Sequence, residues 1–245
     1  MSEDVVTYES RDNIAIITLN RPDKLNALNG EVCTRMLEHW RRFEEGSDRV
    51  AVITGAGRAF TAGADLNDGG EIWPWMPGVG VELKKPVIAA VNGLVVGGGV
   101  VLVQFADLAV MAEDAWLSYP EAKIGFTGGL MASLVTRVPH KIAMEFLLVG
   151  EKMTAQRAYE IGFVNRVVPR EELMDAAMDY ARKLAANAPL VVETLKAFAG
   201  RTLPKSPTEM AGYARQMTER TFESADLKEG LAAFAEKRTP TFNGT

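Results

Sequence analysis

The chain reads as an α/β fold whose last part is entirely helical. Three observations predict this. Apolar, β-branched runs lead through glycine-rich turns into helical patterns three times. Near Ala188 that alternation stops, and only helical periodicity continues. The third observation is the stretch Ala89-Ala90-Val91-Asn92-Gly93-Leu94-Val95-Val96-Gly97-Gly98-Gly99-Val100-Val101-Leu102. There a buried strand, three glycines and a helix that is apolar on every side follow one another. A helix opening at such a turn presents unpaired N–H groups at the positive end of its dipole. Those donors suit a phosphate or an oxyanion. The glycines also fit a turn that only packs a buried helix against its strand.

Residues 5–9 and 14–19 read as two short strands joined by the polar turn Ser10-Arg11-Asp12-Asn13. The loop Asn20-Arg21-Pro22-Asp23-Lys24-Leu25-Asn26-Ala27-Leu28 carries cations. Asn29 is placed to cap a helix whose apolar face is Val32, Met36, Trp40 and Phe43. Acids and arginines mix on its other face, which makes it a solvated surface rather than a basic one. Residues 50–54 form a buried strand that runs into Gly55-Ala56-Gly57-Arg58-Ala59-Phe60-Thr61-Ala62-Gly63-Ala64-Asp65-Leu66. Glycine and proline make residues 67–81 irregular. Trp73, Trp75 and Met76 are expected to fasten that loop to the core, with a wall of a substrate pocket as the alternative.

Residues 86–91 are expected as a strand, 100–105 as a buried helix and 108–112 as a strand. Residues 115–118 lead into Tyr119-Pro120-Glu121-Ala122-Lys123-Ile124-Gly125-Phe126-Thr127-Gly128-Gly129, and a helix is expected to begin near Gly129. Thr154 caps a short helix over 155–161 that Gly162 ends. A strand over 164–168 and an amphipathic helix over 170–188 follow. Helices over 190–199, 208–223 and 227–236 complete the chain. Two regions are expected: a core over 1–187 and a helical oligomerisation region over 188–245.

The 245 residues are 47% hydrophobic and 24% charged, the composition of an ordinary globular chain. A net charge of -5 argues against nucleic acid and anionic membranes as partners. Cys33 is the single cysteine, and His39 and His140 are the only histidines, so no metal site is expected. No apolar run reaches the ~18 residues of a membrane span. The acidic, polar residues 1–12 are unlike a signal or transit peptide, and a cytoplasmic location is expected.

The motifs resemble the crotonase, or enoyl-CoA hydratase/isomerase, superfamily. The likeness covers the Asn20-Arg21-Pro22 and Asn26-Ala27-Leu28 loop and the Phe60-Thr61-Ala62-Gly63-Ala64-Asp65-Leu66 turn. It continues through Pro86 to Gly93 with Gly97-Gly98-Gly99, then Pro120-Glu121 with Gly125. It ends on Phe234, Lys237-Arg238-Thr239-Pro240 and Phe242. The resemblance implies a spiral of ββα units, a C-terminal helical region that forms trimers or dimers of trimers, and an acyl-CoA thioester substrate. Coenzyme A enters as part of that substrate, and no other cofactor is implied.

By the same resemblance, the oxyanion-hole donors are the N–H groups of Ala64 and Gly98, and Glu121 is the acid/base. Lys24, Leu25 and Ala62 are implied to hold coenzyme A, with Lys237 reaching its phosphates. Asp65, Leu66, Gly97, Val101 and Gly129 are implied to line the substrate site. Hydratases of the family use two glutamates, and the first of them falls on Val101. A valine relays no proton, so a double-bond isomerase working through one base is expected. Hydration by Glu121 alone, with Gly129 N–H holding the water, is the alternative, as are hydratase-lyase and hydrolase variants. A non-catalytic coenzyme A- or RNA-binding relative is the alternative of another class.

Overall fold

The computed structural model describes residues 4–245, the side chain of Arg220 excepted. The first three residues of the acidic N-terminal stretch lie outside the described residues. β1 (Val6–Arg11) and β2 (Ile14–Leu19) form a hairpin whose turn residues, Asp12 and Asn13, have φ of 55° and 61°. Positive φ at both central positions matches the right-handed twist of the strands, and Asp and Asn tolerate it better than other side chains. Asn29 caps α1 (Gly30–Glu45) by accepting from Val32 N. The expected face of Val32, Met36, Trp40 and Phe43 is buried.

Then come β3 (Val50–Gly55), β4 (Ala59–Thr61), β5 (Val87–Val91), β6 (Leu94–Val96) and α2 (Gly98–Phe105). β7 (Leu108–Ala112), β8 (Trp116–Ser118), α3 (Glu121–Ile124) and α4 (His140–Val149) follow. β9 (Met153–Thr154), α5 (Ala155–Glu160), β10 (Arg166–Val168) and α6 (Leu173–Ala186) complete the α/β part.

A six-stranded sheet has the order β1-β2-β3-β5-β7-β10, and a four-stranded sheet the order β4-β6-β8-β9. The pairs β3/β4, β5/β6 and β7/β8 each send one strand to the large sheet and one to the small. The chain thus climbs in a spiral, with β3, β5 and β7 parallel neighbours in one sheet and β4, β6 and β8 in the other. The large sheet is covered on both faces, so its central strands are apolar throughout. On β3, Ala51 and Ile53 face the main core while Val50 and Val52 face α6, where Leu173, Ala177 and Ala181 meet them.

The three-residue strands β4 and β6 and the helix α4 were not expected from the pattern. Such strands are too short to show alternation, and they are fixed by their neighbours in the sheet. Where a helix was expected from Gly129, the chain makes a 3-10 helix over Ala132–Thr136. The aromatic loop is held as expected: Trp75 and Met76 are buried, and Trp73 packs against the core.

α7 (Pro189–Thr202), α8 (Pro207–Phe222) and α9 (Ala225–Glu236) form the helical end. Ser206 and Glu209 close a capping box at the start of α8, and both are buried. α8 lies close on the irregular loop: a Cβ at Gly212 would meet Val79 Cγ1 at 3.0 Å, and Arg215 stacks 4.6 Å over the Trp73 ring. The other faces carry exposed Leu195, Phe198, Met217, Leu231 and Phe234. Among the described residues, no helix is long and apolar enough to cross a membrane.

Candidate active site

Leu28 brings two glycine turns together. Its N–H donates to Gly63 O at 2.8 Å, and its carbonyl accepts from Asp65 N at 3.1 Å. In such a parallel bridge the residue between, Ala64, directs its own N–H away from Leu28. The Leu28 side chain in turn lies where it would meet a Cβ on Gly98, Cδ1 at 3.4 Å. Gly98 opens α2, so its N–H has no partner within the helix. The turns also touch directly. A Cβ on Gly63, at φ 85°, would come 2.6 Å from Val96 O, so a side chain there would push them apart.

Glu121 is the third component. It follows Pro120 at the start of α3, and its Oε1 lies 3.0 Å from the Cβ position of Gly97. Gly97 stands at φ 52° and ties its N–H to Ser118 O at 3.0 Å, which fixes β6 beside the strand leading to Glu121. Glu121 as a whole is 9% exposed, and its Oε2 is buried without a hydrogen-bond partner among the described residues. Burial pushes Glu121 up to about 7, with a backbone hydrogen bond opposing. A carboxyl poised there can both take and return a proton near neutrality. Val101 stands one turn into α2, 1% exposed, and places an apolar side chain in the core behind the glycines.

The turn that carries Ala64 thus meets the Gly97–Gly98 turn, with Glu121 beside Gly97 and Val101 following in α2. Lys24, Leu25 and Ala62 form a neighbouring group. Leu25 is in the left-handed region, φ 49°, and its carbonyl accepts from Ala62 N at 2.9 Å. Lys24 beside it is exposed. Asp65 accepts from Asn67 N and pairs with Arg21 at 3.1 Å, and these, the first foremost, pull its carboxyl below the usual range. Leu66 is 87% exposed. The Gly129 N–H donates to Thr127 Oγ1 at 3.1 Å. Lys237 ends α9, exposed, and among the described residues no hydrogen bond or ion pair joins it to this cluster.

Several residues support the site in ways the sequence did not assign to them. Thr61 donates to Asn26 O at 2.7 Å and accepts from Gly63 N at 3.1 Å, which sets the turn that carries Ala64. Asn26 and Asn92 both donate to Ala59 O, at 2.8 and 3.2 Å, and clamp the same turn from two sides. Ile72 closes over Gly98, its Cδ1 at 2.6 Å from that residue's Cβ position. The asparagines beside the glycine turns were a usable signal, because short amides often satisfy turn backbone. Nothing local marked Ile72, which reaches the site from the irregular loop.

The family model for enoyl-CoA hydratase/isomerase matches residues 9–74 and 80–245 of the chain. The chain is 35% identical to the (E)-benzylidenesuccinyl-CoA hydratase of Thauera aromatica, over 98% of this chain and 99% of that protein. It is 39% identical to a carnitinyl-CoA dehydratase of Proteus mirabilis, over 96% and 97% of the two chains. Its fold superimposes on a crystal structure of an enoyl-CoA hydratase from Mycobacterium tuberculosis with a TM-score of 0.77. That pair shares 37% identity, with 99% and 100% of the two chains covered.

Proposed function

Because the chain belongs to the enoyl-CoA hydratase/isomerase family, we propose that it moves a carbon–carbon double bond along an enoyl-CoA thioester, with Glu121 as its one base. It is a crotonase-type acyl-CoA enzyme, and the proposal concerns which reaction it runs. The thioester oxygen sits between the N–H groups of Ala64 and Gly98. Glu121 removes a C2 proton from a 3-enoyl-CoA, the double bond shifts to C2–C3, and the same carboxyl returns the proton at C4. The oxyanion hole holds the enolate charge between the two transfers, at roughly 3–4 kcal/mol per donor by comparison with measured oxyanion holes. The step is redox-neutral and calls on no group beyond the coenzyme A of the substrate.

One observation carries the reading: a buried carboxyl, Glu121, beside Gly97, with a valine at 101 where the resemblance puts a second acid. In the same proposal Lys24, Leu25, Ala62 and Lys237 hold coenzyme A, and Asp65, Leu66 and Gly97 shape its approach. Residues 1–187 carry the site, and residues 188–245 assemble the chain into a trimer or a dimer of trimers. Hydration is the second reading, favoured by the hydratase and dehydratase names of the relatives. Initial rates of isomerisation with 3-enoyl-CoA thioesters and of hydration with 2-enoyl-CoA thioesters separate the two. Faster isomerisation is expected, and faster hydration would overturn the proposal.

A further inference from the structure

The loop that carries Ile72 to the site is held from outside by α8. Its residues 76–81 wind into a tight turn, with Val79 N and Gly80 N donating to Met76 O at 3.1 and 3.0 Å. Gly78 N closes it by donating to Val81 O at 2.9 Å. Val79 is buried, and its carbonyl accepts from Gln216 Nε2 of α8 at 2.5 Å. One helical turn earlier, Gly212 is buried against the same residue, and a Cβ there would overlap the Val79 carbonyl. Arg215 lies 4.6 Å over the ring of Trp73, the neighbour of Ile72. At the far end of these contacts, Ile72 Cδ1 and Cγ2 stand 2.6 and 3.7 Å from the Cβ position of Gly98. A continuous path of packed groups therefore joins α8 to the oxyanion turn.

We propose that Ile72 is a specificity-determining residue that restricts the enzyme to acyl groups unbranched at C2, and that Gln216 is the positioning residue that holds it there. This rests on the reading that the Gly98 N–H holds the thioester oxygen. Every coenzyme A thioester carries the same sulfur and the same coenzyme, so only the acyl side varies beside the carbonyl. Its first variable atom is C2. A side chain packed on the donor residue itself takes the room that a substituent on C2 needs, and close-packed groups yield only with strain. Where Ile72 stands is set by the loop, and the loop rests on α8. The helical end of the chain thus acts on substrate choice through residues 72–81.

Calorimetry with two saturated thioesters, butanoyl-CoA and 2-methylbutanoyl-CoA, tests it without turnover. The unaltered chain should prefer butanoyl-CoA by roughly tenfold or more, the discrimination one extra carbon produces in a close-fitting site. Ile72→Ala should bring the two dissociation constants close together. Gln216→Met keeps the length but loses the donor, and it should narrow the preference, further when combined with Arg215→Gln. Gln216→Lys keeps a donor and should retain most of it. Added to Ile72→Ala, Gln216→Met should change nothing more, since both act through one contact. Hydrogen–deuterium exchange over residues 72–81 should quicken in Gln216→Met and not in Gln216→Lys. No preference in the unaltered chain, or one that survives Ile72→Ala, overturns the proposal. So does a loop that stays protected in the double α8 variant, or one that loosens with the preference intact. Selective binding by a chain that isomerises no 3-enoyl-CoA counts against the function proposed above, while the binding ratios still judge Ile72.

Discussion

Glu121 Oε1 lies 3.0 Å from the point where a Cβ on Gly97 would stand. The base and the glycine that precedes the oxyanion turn are therefore packed as one unit, and neither can be changed in size alone. Gly97→Ala carries two penalties, a left-handed φ of 52° and the contact with the carboxylate. A stability loss of about 1–3 kcal/mol is expected, with a fall in kcat larger than lost folding accounts for. Gly162→Ala is the control, because Gly162 has φ 77° and open space around its Cβ position. It should cost similar stability and leave kcat intact, as thermal melts and initial rates on the two variants would report.

Glu121→Gln keeps the shape and removes the base. A loss of roughly 10²–10⁴-fold in kcat is expected, with KM for the thioester changed far less. In the unaltered enzyme the acid limb of kcat/KM should fall near 7, since burial pushes the carboxyl up to about 7. The stability effect has a definite sign. The fold favours the protonated form, so that contribution is whole below the ordinary value of 4.5 and is lost as pH rises towards 7. Glutamine has no such loss. In urea titrations the glutamine variant should gain on the unaltered chain between those values and hold a constant lead above them.

Val101→Glu supplies the second carboxyl at a position that is 1% exposed. Burying an unpaired charge there should cost roughly 3 kcal/mol or more of stability. Where enough folded protein survives, hydration of a 2-enoyl-CoA should rise relative to isomerisation. No rise in product ratio would mean that position 101 does not by itself withhold water chemistry.

The apolar faces of α7 to α9 should be covered by copies of the same chain. Leu195, Phe198, Met217, Leu231 and Phe234 are each at least 60% exposed, more apolar surface than three short helices leave open in solution. Sedimentation equilibrium should give a trimer or hexamer, and the pair Met217→Lys and Phe234→Lys should dissociate it. A monomer of the unaltered chain at every concentration tested would end this expectation.

The sequence made the glycine turns legible because each marks a place where backbone approaches backbone. Gly63 and Gly97 bear that out with φ of 85° and 52° and with close neighbours at their Cβ positions. Glu121 was legible only through the family resemblance, which places an acid/base directly after Pro120. The short strands β4 and β6 were not, because three residues cannot show a period of two and their pairing lies between distant segments. The contacts of Ile72 and Thr127 were not legible either. Their positions depend on how an irregular loop and a short helix fold back on the core, which periodicity does not encode.

The start of α8 touches the same place. Thr208 Oγ1 donates to Gly129 O at 3.3 Å, and Gly212 leaves room for α8 to lie on Val79. As the chain leaves the ribosome, the spiral can close its sheets long before these helices emerge. Gly129 then waits for Thr208, 79 positions further along, to reach it. Contacts of such separation form late in folding, because the intervening loop must be ordered first. The 125–129 segment thus gains this anchor only after the spiral has formed. Arrested chains ending before Pro207 should show protected strands and an unprotected 125–129 segment in pulse-labelled hydrogen exchange, whereas early protection of that segment would place its ordering within the spiral itself.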